Sequence, residues 1–347
     1  MKILALSAQL PSLRVGNDDI LDGIVAHNAD QPPERIARYR REVAYLLGKT
    51  GSQTRYLRDR AAGETALGLA RRAVDDALTQ AALARDEIDL LIYCGVGRGF
   101  LEPANAYFFA DAMGLACPCF DVLDACMSWV RALEIASKYL AGGGYRHILI
   151  VNAECNAYEC GYPDILRIAG PEALNHAFAA FTIGEAATAT VVTRSDDTWS
   201  FRFRALPQWA GLCAIPLPGH RDFCAPDATP CTEGEHRFVS FGTRLFEVAV
   251  GGLGELIAES VPDLAQPDIW FPHSAAAGPY PRVAATWGID PRKVYLDSFR
   301  DYGNLVSASI PAALHHAATR GSLQRGDRVV LCPASAGMAL AVVQFTF

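Results

Sequence analysis

The feature that most constrains this chain is a pair of near-continuous apolar runs, Ile88-Asp-Leu-Leu-Ile-Tyr-Cys-Gly-Val and His147-Ile-Leu-Ile-Val-Asn-Ala-Glu. A strand with one wet face alternates apolar and polar residues. A strand that is apolar throughout is covered on both faces, the setting of a sheet sandwiched between helices. Glu64 to Ala81 carries apolar residues at helical spacing, and so does Pro103 to Leu115. Cys119 to Gly142 joins the two periods in one stretch. Phe120, Val122 and Leu123 make a buried strand; from Trp129 onward Leu133, Ile135, Ala136, Tyr139 and Leu140 form a broad helical face, stopped by Gly142, Gly143 and Gly144. Cys126 therefore falls at or just before a helix N-terminus. Unpaired N–H groups and the helix dipole favour an anion there, so the expectation is a lowered thiol pKa. A free cysteine is more often a small buried hydrophobe, and from this stretch alone that reading stays slightly ahead.

The same grammar returns in the second half. Strands are expected at Trp199 to Leu206, Ile269-Trp-Phe-Pro-His273, Arg328 to Pro333 and Met338 to Phe347, with helices at Gly242 to Glu259, Arg282 to Trp287 and Asn304 to Thr319. The expected fold class is α/β, in two similar halves at 1–195 and 196–347. The composition shifts between about 194 and 240, where the connection between the halves is expected. A chain of 347 residues with 51% apolar and 20% charged residues has enough material for two cores. Its net charge of −7 with no basic block argues against nucleic-acid binding. No stretch reaches the length needed to span a bilayer, and the N-terminus reads as a first strand, not a signal peptide, so a cytoplasmic protein is expected. The ten cysteines are scattered with no C-x-x-C, which favours reduced thiols and no metal site.

Two further stretches bear on Cys126. Phe271-Pro-His273 places a histidine just after a buried strand, and Tyr302-Gly-Asn304 precedes an apolar helix, with Asn304 at its start. Each has a plain explanation alone, as a satisfied strand-end histidine and a helix cap. Taken together, Cys126, His273 and Asn304 resemble the Cys–His–Asn set of the thiolase-fold condensing enzymes, and the chain is most similar to the β-ketoacyl-acyl-carrier-protein synthase III family. Thr50-Gly51 with Arg55 resembles that family's T-G-I-x-x-R. Asp121 to Cys126 resembles its D-x-x-x-x-C, Gly184-Glu-Ala its G-D-G/A, Pro272-His273 its P-H-Q-A-N, and Tyr302-Gly-Asn304 with Ser307 to Pro311 its Y-G-N…S-A-S-I-P.

The resemblance implies a thiolase-like fold of five α-β-α-β-α layers and a homodimer. It implies an acyl-CoA or acyl-ACP (acyl carrier protein) substrate and no permanently bound cofactor. It makes Cys126 the acyl-accepting nucleophile, His273 and Asn304 the N–H donors to an enolate, and the backbone N–H groups of Cys126 and Gly337 an oxyanion hole. Tyr45 falls where the family stacks an aromatic on the CoA adenine, and with Arg55 it is the implied cofactor contact. Three departures stand out. Ser274-Ala-Ala-Ala replaces Q-A-N, and Pro333-Ala-Ser-Ala-Gly337 replaces a glycine-rich loop. Leu101-Glu102-Pro103 resembles the L-E-P of the subgroup that joins two acyl thioesters head to head. In that subgroup the glutamate removes an α-proton, a role for which burial in an apolar pocket would raise its pKa; the alternative is a solvated carboxylate beside Arg98. The helix expected between 32 and 48 is also similar to that subgroup. Three readings compete with a Claisen-type condensation. An acyltransferase on the same fold would form an ester or amide. A degradative thiolase would need a second cysteine, and Cys332 sits one position too far upstream. A degenerate partner subunit would not need the intact triad.

Overall fold

The structure is a computed structural model that describes residues 1–225, 234–273 and 275–347. In chain order the first half holds β1 (Lys2–Gln9), β2 (Leu13–Gly16), α1 (Asn17–His27), α2 (Pro33–Thr50), β3 (Thr54–Leu57), α3 (Ala66–Ala81), β4 (Leu90–Cys94), α4 (Asn105–Ala112), β5 (Cys119–Val122), α5 (Ser128–Ala141), β6 (His147–Glu154), α6 (Leu174–Ala177) and β7 (Ala186–Thr193). The second half holds β8 (Ser200–Ala205), β9 (Cys213–Ala214), β10 (Val239–Ser240), α7 (Gly242–Ser260), β11 (Ile269–Phe271), α8 (Tyr280–Thr286), α9 (Asp297–Tyr302), α10 (Ser309–Thr319), β12 (Arg328–Leu331), β13 (Ala334–Ser335) and β14 (Ala339–Thr346).

Every residue of β4 is buried, as its unbroken apolar run requires. It lies inside a five-stranded sheet of order β1-β7-β6-β4-β5, parallel to both β5 and β6. The second sheet runs β11-β12-β14-β13, with β8 also pairing β14. The apolar contacts define five layers. α3 and α4 cover the outer face of the first sheet. Side chains of α5 and α10 fill the space between the sheets, where Trp129, Leu133 and Leu314 meet Ile92 and Ile150 on one side and Phe271, Leu331 and Val343 on the other. α7 and α8 cover the outer face of the second sheet. This is the thiolase-like α/β arrangement.

Local signals hold in several places. Thr65 caps α3 by accepting the Gly68 N–H at 3.0 Å, and Gly51 ends α2 in a left-handed conformation at φ 78°. Other expectations are corrected. The helix expected from Asn304 begins only at Ser309, after a turn. β7 begins at Ala186, preceded by short 3-10 turns through Thr182. β5 ends the first sheet with one unpaired edge, beside the exposed Leu101 and Leu123. Among the described residues no helix is long and apolar enough to cross a membrane.

Candidate active site

Cys126 sits in a tight turn between β5 and α5. Ala125 takes a left-handed conformation (φ 44°), which L-residues adopt only when the surroundings hold them there. The Ser128 hydroxyl donates to the Ala125 carbonyl at 2.7 Å and accepts the Asp124 N–H at 2.8 Å. From the second sheet the Ser335 hydroxyl accepts the Met127 N–H at 3.2 Å. The turn is thereby stitched to both halves of the fold. α5 starts at Ser128, so Cys126 precedes the helix by two residues. The expected depression of its pKa is not what this environment produces. Burial pushes the thiol well up, nearby Cys213 and Glu154 add to the push, and the local backbone and the Ser335 hydroxyl offset part of it. At rest the group is a thiol.

His273 follows β11, whose last residue Phe271 accepts the Cys332 N–H at 3.0 Å and so joins it to the chain leading out of β12. The imidazole is 7% exposed, and its Nδ1 is buried with no partner. Burial pushes the pKa down to about 4, so the ring is neutral at neutral pH. Residue Ser274, expected to alter the histidine's support, lies outside the described residues.

Asn304 lies in the turn before α10. Its N–H donates to Thr182 O at 2.8 Å and its carbonyl accepts the Gly184 N–H at 3.0 Å. Gly303 has φ 74°, and a Cβ there would lie 2.4 Å from the Thr182 carbonyl, so only glycine lets the two segments approach this closely. The Asn304 Oδ1 accepts the Val306 N–H at 2.9 Å, which fixes the amide and leaves its Nδ2 as the free donor. Asn304 is thus no helix cap.

Glu102 and Leu101 are exposed on the loop between β4 and α4. Within one chain Glu102 occupies no apolar pocket, and the partner expected for a solvated carboxylate is turned away. Arg98 donates to Gly95 O at 3.4 Å and faces Asp121 at 3.9 Å. Gly337 sits between β13 and β14 at φ 123°, two residues beyond Ser335. Tyr45 is 63% exposed on α2. Arg55, expected as its partner, is buried and bonds Asn17 Oδ1 and Ser52 Oγ, both at 3.0 Å. It pins β3 to the turns around it and is no surface contact. The cation that does stand at Tyr45 is Lys49, whose ammonium lies 5.3 Å from the ring centroid. Lys49 is four residues from Tyr45 on one helix face, a spacing readable in the sequence. The helix end beside it packs on the loop after His273, where Ala277 and Gly278 donate to Thr50 O at 2.7 and 3.0 Å.

This fold, with a cysteine in a strained strand-to-helix turn, a buried histidine after β11 and a buried asparagine before α10, is that of a thiolase-type condensing enzyme. Comparisons with known proteins agree. The profile of 3-oxoacyl-[acyl-carrier-protein] synthase III matches residues 120–206, and the profile of its C-terminal part matches residues 259–347, together about half of the chain. The chain belongs to the 3-oxoacyl-acyl-carrier-protein synthase III family and is an acyl-thioester condensing transferase. It is 28% identical over 290 residues to the acyl-CoA:acyl-CoA alkyltransferase of Xanthomonas campestris, covering 79% of this chain and 80% of that protein. It is 29% identical over 312 residues to a β-ketoacyl-ACP synthase III of Streptomyces coelicolor, covering 87% and 88%. Among solved structures, a variant of X. campestris OleA superposes with a TM-score of 0.83 at 23% identity, covering 99% of this chain and 96% of that one. The synthase III of Aquifex aeolicus gives 0.79 at 24% identity, covering 100% and 99%.

Proposed function

We propose that the protein condenses two acyl thioesters head to head, with Cys126 as the acyl acceptor, His273 and Asn304 as enolate donors and Glu102 of a partner subunit as the base. In the first step the Cys126 sulfur attacks the donor's thioester carbon. The carrier thiol leaves and takes up the proton that Cys126 loses, so no net proton is consumed. The oxyanion forms beside the Cys126 N–H and the Gly337 segment. Since the resting thiol is protonated, a lone pair of the neutral His273 ring is suited to hold that proton in transit. In the second step Glu102 takes the α-proton of the second acyl thioester. The carbanion's negative charge rests on the thioester oxygen, against Asn304 Nδ2 and His273. The carbon attacks the acyl group on Cys126, the C–S bond breaks, and the thiolate recovers a proton.

The observation that carries this reading is the Asn304 amide, with its oxygen bound and its Nδ2 free to donate. A simple ester- or amide-forming transferase has no enolate to stabilise. The edge strand β5 and the exposed Phe100, Leu101, Tyr107, Phe108 and Leu123 around it favour a homodimer across this edge, which would carry each Glu102 toward the other subunit. Tyr45 and Lys49 are suited to the nucleotide end of an acyl-CoA. The similarity to an acyl-CoA:acyl-CoA alkyltransferase supports the head-to-head variant, as does a solved OleA structure that holds lauric acid and lauroyl-CoA. Intact-protein mass spectrometry after incubation with acyl-CoA tests the first step. The mass gain is expected on wild type and on Glu102→Ala, and absent from Cys126→Ala. Product analysis tests the second: Glu102→Ala should give no condensed product. Normal condensation in Glu102→Ala would remove the base assignment, and an equal adduct on Cys126→Ala would remove the nucleophile.

A further inference from the structure

Glu154, the last residue of β6, is a buried carboxylate for which the chemistry above has no use. It is 1% exposed, and among the described residues no cation pairs with it. Four donors converge on it. Oε1 accepts the Val96 N–H at 3.0 Å, the Ser307 N–H at 3.3 Å and the Ser307 hydroxyl at 2.5 Å, and Oε2 accepts the Gly97 N–H at 2.7 Å. A group that only accepts is the ionised form, although burial pushes its pKa up. Asn152 Nδ2 donates to the same Ser307 hydroxyl at 2.5 Å. Gly95 leaves room for the cluster, because a Cβ there would lie 2.6 Å from Oε1 and 2.8 Å from both Asn152 Nδ2 and Ser307 Oγ.

The Ser307 contact leads to the site. Val306 is β-branched and holds φ at 53°, a conformation that such a residue does not keep unless its neighbours fix it. It lies between Ser307, anchored twice on Glu154, and Asn304, whose Oδ1 accepts the Val306 N–H. The other Glu154 oxygen holds Gly97, in the loop that goes on to Glu102. We propose that Glu154 is a positioning residue for the condensation step: through Ser307 it holds Val306 in its left-handed turn, so that the Asn304 amide presents Nδ2 to the thioester oxygen. This rests on the condensing reading above. Glu154 touches no substrate; its charge only disfavours the Cys126 thiolate, so its positioning role belongs to the second half-reaction.

The test separates the half-reactions. Glu154→Gln keeps the shape but replaces one accepting oxygen with a donor, which cannot meet an N–H. Its Cys126 adduct should form no more slowly than in wild type, because loss of the nearby negative charge removes one push on the thiol, while condensation kcat falls on the order of 10- to 100-fold with KM little changed. Ser307→Ala removes the hydroxyl contact alone and should give a smaller fall. In an Asn304→Ala background, Glu154→Gln should cause no further loss, since both act through one amide. A purely structural role would slow acylation and condensation alike, or add its full effect to Asn304→Ala. Either result overturns the proposal, as does normal condensation in Glu154→Gln. If Glu154→Gln does not fold, Ser307→Ala with and without Asn304→Ala makes the same comparison. A wild type that acylates and forms no carbon–carbon bond refutes the condensing reading itself and this proposal with it. A wild type that condenses leaves the variants to decide on Glu154 alone.

Discussion

The neutrality of His273 makes a prediction in solution that needs no substrate. Burial holds the folded imidazole at about 4, against 6.5 for the free side chain. As pH falls through 6.5 the unfolded chain takes the proton first, so folding becomes steadily less favourable until the folded ring also titrates near 4. The contribution is therefore complete above pH 6.5 and lost between 6.5 and 4. The gap sets a ceiling of about 3.4 kcal/mol, of which about 2.4 kcal/mol should disappear between pH 7 and pH 4.5. At 7% exposure, little of this is screened by water. The assay is urea unfolding at fixed protein concentration, at steps from pH 7 to 4.5, for wild type and His273→Asn. Other groups titrate in this window. Glu154, whose folded pKa burial raises, acts with the opposite sign. These groups are common to both proteins and cancel in the difference. The variant should lose about 2 kcal/mol less stability than wild type over this range. Parallel pH dependences would refute the buried, unpartnered ring. The same reasoning predicts that loss of activity between pH 8 and pH 5.5 is not due to His273 gaining a proton.

Glu185→Ala should be among the most destabilising single changes. Its fully buried carboxylate accepts Arg58 N–H at 2.7 Å, Arg58 Nη2 at 3.0 Å and Ala157 N–H at 3.0 Å, and its loss leaves the buried guanidinium with only the half-exposed Glu159 at 2.9 Å, at a cost of about 3 kcal/mol. The urea midpoint reads this directly, and the double change Arg58→Met with Glu185→Leu should recover only the ion-pair part, because the Arg58 and Ala157 N–H groups still lack an acceptor. Ser335→Ala removes one of the two acceptors for the Met127 N–H, the other being Asp124 O at 2.9 Å, and should cost up to about 1 kcal/mol of stability. Its Cys126 adduct should also form more slowly in a mass time course, because the turn that aims the sulfur is loosened. Gly95→Ala places a methyl group against Glu154 and Ser307 at φ 124°, and a loss of at least about 1–3 kcal/mol is expected in thermal unfolding. Wild-type stability in that variant would contradict the placement of the cluster.

What the sequence revealed follows from the range of the forces involved. β4 and β6 were readable because burial on both faces writes an apolar run, and α3 because its period is local. The position of His273 after β11 was legible for the same reason; the strand before Cys126 was found, but it is half-buried at the sheet edge with Leu123 exposed, not the buried strand expected. Asn304 was misread as a helix start because asparagine before an apolar helix is a good local cap. What overrides it is a distant segment, where Thr182 and Gly184 take its backbone into a pairing. Arg55 was misread because nothing nearby shows that Asn17 and Ser52 turn its guanidinium inward. The direction of the Cys126 pKa was missed because dryness at the sulfur is a property of the assembled pocket, in which Cys213 and Glu154 arrive from elsewhere in the chain. Lys49 was overlooked although its spacing from Tyr45 was plain.

The strained positions tie these observations together. Only four described residues other than glycine have positive φ, and two of them, Ala125 and Val306, lie next to or within two residues of Cys126 and Asn304. Each conformation costs on the order of 1–3 kcal/mol when nothing holds it. Each is held by a polar side chain that local propensity would not have placed there: Ser128 bonds the Ala125 carbonyl, and Glu154 anchors the residue after Val306. In both turns the holder and the strained residue surround a group that must point one way, a sulfur in one and an amide nitrogen in the other. The raised thiol pKa belongs to the same balance. In the proposed mechanism, a tightly held turn gives up the easy thiolate of an open helix start and in return fixes the direction of the sulfur that takes the acyl group. Loosening either turn should therefore impair its own half-reaction before it unfolds the protein.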